Sequence, residues 1–215
     1  MIEPHVVADV GSPVEGVIGS IAVERGAFVK KGQVLATLES SVEKATVAAA
    51  RAHAETDVVV RSADVRSTFG QRKLDRIKEM RKDQYVSAFE VDEANTEREL
   101  AHLAKEEAET NKKLAQLEYQ RAMRVLEQRT IRSPVDGVVV RLFLNESERV
   151  EQEPLMKVAQ INPLNVEVIL PVTMLGKIRP GMVGVIRPEA PAGAQYRAKV
   201  MIVDPVVEAA SGMFG

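Results

Sequence analysis

Three side chains have types and spacings suited to recognition chemistry: Arg76, Met80 and Ser87. Arg76 and Met80 stand four residues apart, so on a helix they lie one turn above each other on the same face. An arginine there offers a planar fork of donors to carboxylates or to backbone carbonyls at a helix end. Met80 adds an adaptable apolar contact, and Ser87 a hydroxyl. On spacing alone the plainer reading is a solvated arginine, a seam methionine and a helix cap. Bond-making chemistry has less to work with. His5, His53 and His102 show no ligand spacing such as a helical i, i+4 pair. The eight methionines are scattered rather than clustered, and no Gly-rich phosphate loop or Ser/His/Asp set is visible. Cysteine is absent, which excludes disulfides, thiolate metal sites and cysteine nucleophiles. The expectation is a non-enzyme with no catalytic residue, cofactor or metal site.

The stretch that carries these residues runs from Ser41 to Gln128, with no proline and one glycine, Gly70. It is dense in Ala, Glu, Lys, Arg, Leu and Gln, the residues that lose least on entering a helix. Its second half carries Ala94, Ala101, Ala108, Ala115 and Ala122, one every seven residues. In its first half, Val42, Ala45, Ala49, Ala52, Thr56, Val59 and Ala63 form a matching small-residue seam. A seven-residue period keeps one stripe facing a partner helix. The seam stops at Lys82-Asp83-Gln84-Tyr85-Val86-Ser87, where Ser87 followed by Glu90 has capping-box spacing. The pattern predicts two antiparallel helices of roughly 40 residues, each about 60 Å long. The Lys and Arg of this stretch alternate with Glu, the pattern of a solvated coiled-coil face.

Around the helices the chain reads as strands. Ser12-Pro13-Val14-Glu15-Gly16-Val17 returns as Ser133-Pro134-Val135-Asp136-Gly137-Val138, an offset of 121 residues. Apolar positions follow the same offset, Val23 with Leu144, Val29 with Val150 and Leu35 with Met156. The turn glycines Gly26 and Gly32 do not carry over, since Ser147 and Glu153 stand in their places. A repeated segment is a structural unit first, and neither copy is long enough to bury a core. The two are expected to pair into one small β-sandwich, with the helices as an insertion between them. Beyond Asn162, strands at 166–170, 183–186 and 197–203, punctuated by Pro and Gly, suggest an antiparallel β-barrel, incomplete at Gly215.

Composition bounds the partners. Lys plus Arg number 29 against 31 Asp plus Glu, a net charge of -2, so no basic excess argues for nucleic acid. Aromatics are 4% and tryptophan is absent, which disfavours base stacking. No apolar run reaches the roughly 18 residues of a membrane span. The start, Met1-Ile2-Glu3-Pro4-His5, lacks the features of a signal peptide. A cytosolic protein and a mature or trimmed periplasmic chain both fit these facts.

A half-motif, a long helical hairpin, a second half-motif and a β-barrel together resemble the periplasmic adaptors, or membrane fusion proteins (HlyD-like). The Ser-Pro-Val-x-Gly-Val segments look like the split halves of that family's lipoyl-like domain, and Ile202 to Gly212 resembles its barrel. Adaptors that dock on TolC-type outer-membrane ducts carry Arg, Leu four residues on and Ser seven further. Arg76, Met80 and Ser87 stand at those spacings, with Met80 as the departure. Glu90-Val91-Asp92-Glu93-Ala94 also looks like the family.

The resemblance implies an elongated, multidomain α+β chain. Its expected parts are an N-terminal strand leading into the barrel (1–11), two lipoyl-like halves (12–40 and 131–161), a hairpin (41–130, tip about 82–87) and a partial barrel (162–215). It further implies a periplasmic protein anchored to the inner membrane through a segment absent from this chain. Its partners would be an inner-membrane transporter of the resistance-nodulation-division type, a TolC-type channel reached by Arg76, Met80 and Ser87, and copies of itself in a hexameric ring. An ABC-type exporter is the alternative transporter. A lipoyl or biotinyl carrier is a further reading, because Glu43-Lys44-Ala45-Thr46-Val47 resembles the modified-lysine segment of such carriers. Lys44 would however open a long helix rather than sit on a tight β-turn. A cytosolic coiled-coil scaffold is disfavoured by the split β repeat. The exported substrate is not encoded in any motif.

Overall fold

The computed structural model describes residues 1–83, 85–174, 176–187, 195–204 and 213–214. The first β segment forms β1 (Ile2–Val10), β2 (Gly16–Ile21), β3 (Phe28–Val29) and β4 (Val34–Leu38). The helical stretch forms α1 (Ser41–Glu55), α2 (Val58–Lys82) and α3 (Ala88–Glu127). The second β segment forms β5 (Thr130–Arg132), β6 (Gly137–Leu142), β7 (Arg149–Val150) and β8 (Met156–Val166). The sequence repeat persists as structure: β2 and β6 begin at its two matching glycines, Gly16 and Gly137.

These strands make two four-stranded sheets, ordered β1-β8-β6-β3 and β5-β4-β2-β7. The halves interlock by exchanging a strand. β3 of the first half pairs with β6 of the second, Phe28 opposite Val138. β7 of the second half pairs with β2 of the first, Gly16 opposite Val150. The core between the sheets draws on both halves, with Ile18, Leu35 and Leu38 buried beside Val139, Val150 and Met156. Burying such side chains contributes about 1.5–3 kcal/mol each, and neither half could do it alone.

The turns behave as glycine chemistry requires, with one exception. Gly26 and Gly32 have φ of 89° and 82°, where a Cβ would be strained. Ser147, the counterpart of Gly26, adopts φ 69° without being a glycine. Its amide donates to the Ile18 carbonyl at 2.9 Å, and Asn145 beside it donates to Glu148 from both its backbone and its side-chain amide. Those bonds offset a left-handed cost of about 1–2 kcal/mol.

Opposite this sandwich, α1 and α2 together lie antiparallel against α3. The alanine heptad of α3 faces inward as its period predicts, with Ala94, Ala108 and Ala115 buried. The first arm departs from expectation twice. It is not one helix: Thr56 turns extended, with φ -72° and ψ 119°, and helix resumes at Val58. Thr56 and Asp57 are weak helix formers and three β-branched valines follow. Their side chains bond locally, Thr56 to the Ala52 carbonyl at 2.8 Å and Asp57 to Arg61 at 3.2 Å. Nor does the seam run through Val42 and Val59, which are largely exposed. The packed face carries Ala54, Ala63, Gly70 and Leu74 instead. The break resets the helical phase, so the alternation read from sequence is right in spacing and displaced in register before Ala63. Gly70 lets the helices approach: a Cβ there would lie 3.3 Å from the Arg98 Cα. Two ion pairs bridge α2 and α3, Lys73 with Glu97 and Lys105 with Asp64.

Beyond β8 the strands are short. β9 (Leu170–Pro171) pairs with β12 (Met213–Phe214), and β10 (Val183–Ile186) with β11 (Tyr196–Lys199). Of the expected strands, 183–186 is present; 166–170 resolves into the end of β8 and the start of β9, and 197–203 ends at Lys199. Among the described residues these pairs do not close a barrel. The barrel-like tract ending at Gly212 lies from residue 205 onward outside the described residues.

Gly137 is a close-packed point within the second half of the sandwich. A Cβ there would sit 2.3 Å from the Ala159 carbonyl oxygen, across the β6–β8 ladder. Gly137→Ala should lower stability by about 2 kcal/mol or more, read as a lower urea midpoint.

Candidate partner-docking site at the hairpin tip

The hairpin turns between Lys82 and Ala88. Gln84, in that turn, lies outside the described residues. Ser87 has extended backbone, φ -74° and ψ 164°, and caps α3 through a complete capping box. Its hydroxyl accepts from the Glu90 amide at 3.2 Å, and the Glu90 carboxylate accepts from the Ser87 amide at 2.6 Å. These bonds satisfy orphan donors of the first turn. They also hold the Glu90 carboxyl below its ordinary pKa of 4.5, the backbone bond from Ser87 being the largest cause. On the other side the Tyr85 amide donates to the Met80 carbonyl at 3.1 Å, and the Arg81 guanidinium reaches the Val86 carbonyl at 3.3 Å. The turn is therefore held by its own polar groups.

Arg76 and Met80 lie on the last turns of α2, both exposed, and Ser87 stands across the turn as the first residue outside α3. All three fall at the end of the hairpin remote from the sandwich. Sequence reasoning passed over two neighbours. Tyr85 and Phe89 are 78% and 77% exposed, a large apolar surface beside the cap. Phe89 carried a signal, since an aromatic residue in the first turn of α3 falls outside the alanine heptad. With an arginine and a methionine these are the side-chain types that dominate protein interfaces. The arrangement can recognise a partner; it carries no reacting group.

The other candidates are placed as follows. Lys44 is an exposed residue of the first turn of α1, its amide bonded to the Ser40 carbonyl at 2.9 Å, and it does not sit on a β-turn. His5 lies 3.2 Å from the Asn165 side chain, and His102 3.6 Å from Glu106. Among the described residues no three His, Cys, Asp or Glu side chains gather as a metal set, and no helix is long and apolar enough to cross a membrane.

Residues 6–160 match the family described as CzcB-like, barrel-sandwich hybrid domain. The chain belongs to this family. Membership bears out the resemblance to membrane fusion proteins drawn from the half-motifs and the hairpin. The solved structures agree in fold. MacA from Actinobacillus actinomycetemcomitans superposes with TM-score 0.79 at 22% identity, over 99% of this chain and 68% of that one. The membrane fusion protein Spr0693 from Streptococcus pneumoniae R6 gives 0.51 at 17% identity, over 100% and 87%. An uncharacterized protein of Haemophilus influenzae is 25% identical over 99% of this chain. The CzcB-like chain spans about half, 49%, of that relative's length.

Ser87→Ala should remove one half of the capping box and cost about 1 kcal/mol, with faster amide exchange confined to the first turn of α3. Because the folded Glu90 pKa is depressed, its contribution is complete above the ordinary carboxylate value and is lost as pH falls through the folded one. Protection of these amides, taken relative to their intrinsic exchange rates, should thus fall as pH drops through the depressed Glu90 value. In Glu90→Gln that acid dependence should vanish, which an exchange profile against pH will reveal.

Proposed function

We propose that this CzcB-like chain is the periplasmic adaptor of a tripartite efflux pump, joining an inner-membrane transporter to a TolC-type outer-membrane channel through its hairpin tip. The observation that carries this reading is the exposure of Arg76 and Met80 near the free end of α2, with Ser87 across the turn. Family membership supports an adaptor, and the likeness in fold to Spr0693, a membrane fusion protein, agrees with it. The spacing of Arg76, Met80 and Ser87 supports the outer-membrane duct as the tip's partner. A resistance-nodulation-division transporter is the partner at the opposite end, because the tip and the connection to the barrel resemble adaptors of that class. The protein works as a spacer held in the periplasm by an inner-membrane anchor, several copies packing into a ring, by analogy six.

The chemistry at the tip is a fork of donors beside an apolar contact. Arg76 meets carboxylates or helix-terminal carbonyls of the duct, where an arginine makes two directed bonds at once. Met80, with the neighbouring Tyr85 and Phe89, excludes water from those bonds. Methionine replaces leucine at nearly constant volume, so Met80→Leu should leave export intact. In the host cell Arg76→Asp should abolish export while expression and circular dichroism stay unchanged, since the side chain is exposed. Export retained by that variant would remove the docking role.

A further inference from the structure

The hairpin is long and its attachment is narrow, so its direction depends on a few contacts at its base. The polypeptide crosses between sandwich and hairpin twice, between Leu38 and Ser41 and between Glu127 and Thr130. Arg129 lies on the second crossing, and its guanidinium reaches both neighbours. One amino group, Nη1, donates at 2.9 Å to the carbonyl of Glu15, the residue just before β2. The other, Nη2, donates to the Glu43 carboxylate at 2.6 Å, in the first turn of α1. One planar group thereby joins the sandwich, the outgoing helix and the returning chain.

Its surroundings strengthen that joint. The Arg129 and Glu43 side chains are only 23% and 16% exposed, so solvent screens this pair less than the other ion pairs of the hairpin. Glu43 stands at a helix N-terminus and Arg129 just past a helix C-terminus, the favourable end for each charge. The sequence leaves room for the guanidinium: a Cβ on Gly16 would lie 2.7 Å from Nη1. The lever is steep. A pivot of about 10° at the base moves the end of a rod of about 60 Å by about 10 Å, about one helix diameter.

We propose that Arg129 is a positioning residue, which fixes the direction in which the hairpin leaves the sandwich by binding Glu43 and the Glu15 carbonyl together. Lysine cannot replace it, because a single ammonium on a flexible stem does not hold two partners in fixed geometry. The inference concerns this chain by itself and stands whether or not the tip docks on a channel.

Absence of cysteine makes the test clean. Nitroxides on Lys30→Cys in the sandwich and Arg72→Cys on α2 report the hairpin direction by pulsed electron resonance. The parent should give one narrow distance distribution. Arg129→Met and Arg129→Lys should broaden it and add a second population. Gly16→Ala should do the same with the arginine still present, by displacing its guanidinium. Glu43→Gln, which keeps an acceptor oxygen, should broaden it less than Arg129→Met. Distributions that stay narrow in folded Arg129→Met and Gly16→Ala overturn the proposal, as does a fall in melting temperature with no broadening, the mark of a merely stabilising contact. If Arg129→Met fails to fold, Gly16→Ala decides.

Discussion

The fold depends on a strand exchange. β3 belongs to the first half by sequence and to the second by pairing, and β7 the reverse. Without that exchange each half is a few short strands with one apolar side and nothing to cover it. With it, a closed core forms from pieces of chain separated by the whole helical stretch. The exchange also constrains what can be inserted. The two chain ends leaving the sandwich must return side by side, because β4 pairs with β5, Thr37 opposite Thr130. An antiparallel helical pair meets that demand at any length, so the rod can be long without loosening the sandwich.

The rod is built for reach rather than for burial. Its seam is mostly alanine, with Gly70 against the Arg98 backbone, so the helices pack tightly while hiding little apolar surface per turn. Such a pair relies on helix propensity, on the box at Ser87 and on bridges such as Lys105 with Asp64. Bending stiffness and aim are separate matters. Packing of α1 and α2 against α3 supplies the first, and the Arg129 joint at the base bears on the second. The narrow neck then matters as much as the tip it points.

Much of this was legible before any coordinates. The repeated Ser-Pro-Val-x-Gly-Val segments mark the two halves because a pairing surface needs the same residues twice. The alanine period of α3 fixes its inner face because seven residues make nearly two turns. Ser87 and Glu90 signal the cap through local chemistry alone. The break at Thr56 was not legible, since a few β-branched and short polar residues lower helix propensity by amounts that packing usually overrides. With small residues at nearly every position of α1, two registers fit the pattern, and only contact with α3 selects one. Ser147 hid a turn by adopting a glycine conformation without being a glycine. Arg129 could not be found at all: its partners lie 86 and 114 residues away in sequence. At the tip, the resemblance to duct-docking adaptors gave Arg76, Met80 and Ser87 their candidacy, while their placement at the free end, and the exposure of Tyr85 and Phe89 beside them, came from the fold.

Family membership, a sandwich that closes on itself and a rod tipped with exposed arginine, methionine and aromatic side chains form one connected account. In the proposed function the sandwich anchors, the rod spans, and the tip recognises. The most direct measurement is photocrosslinking in the host cell from a benzoylphenylalanine placed at Met80. The account predicts a crosslink to the periplasmic end of an outer-membrane duct. Crosslinks confined to cytosolic proteins, or none from a fully expressed chain, would contradict it.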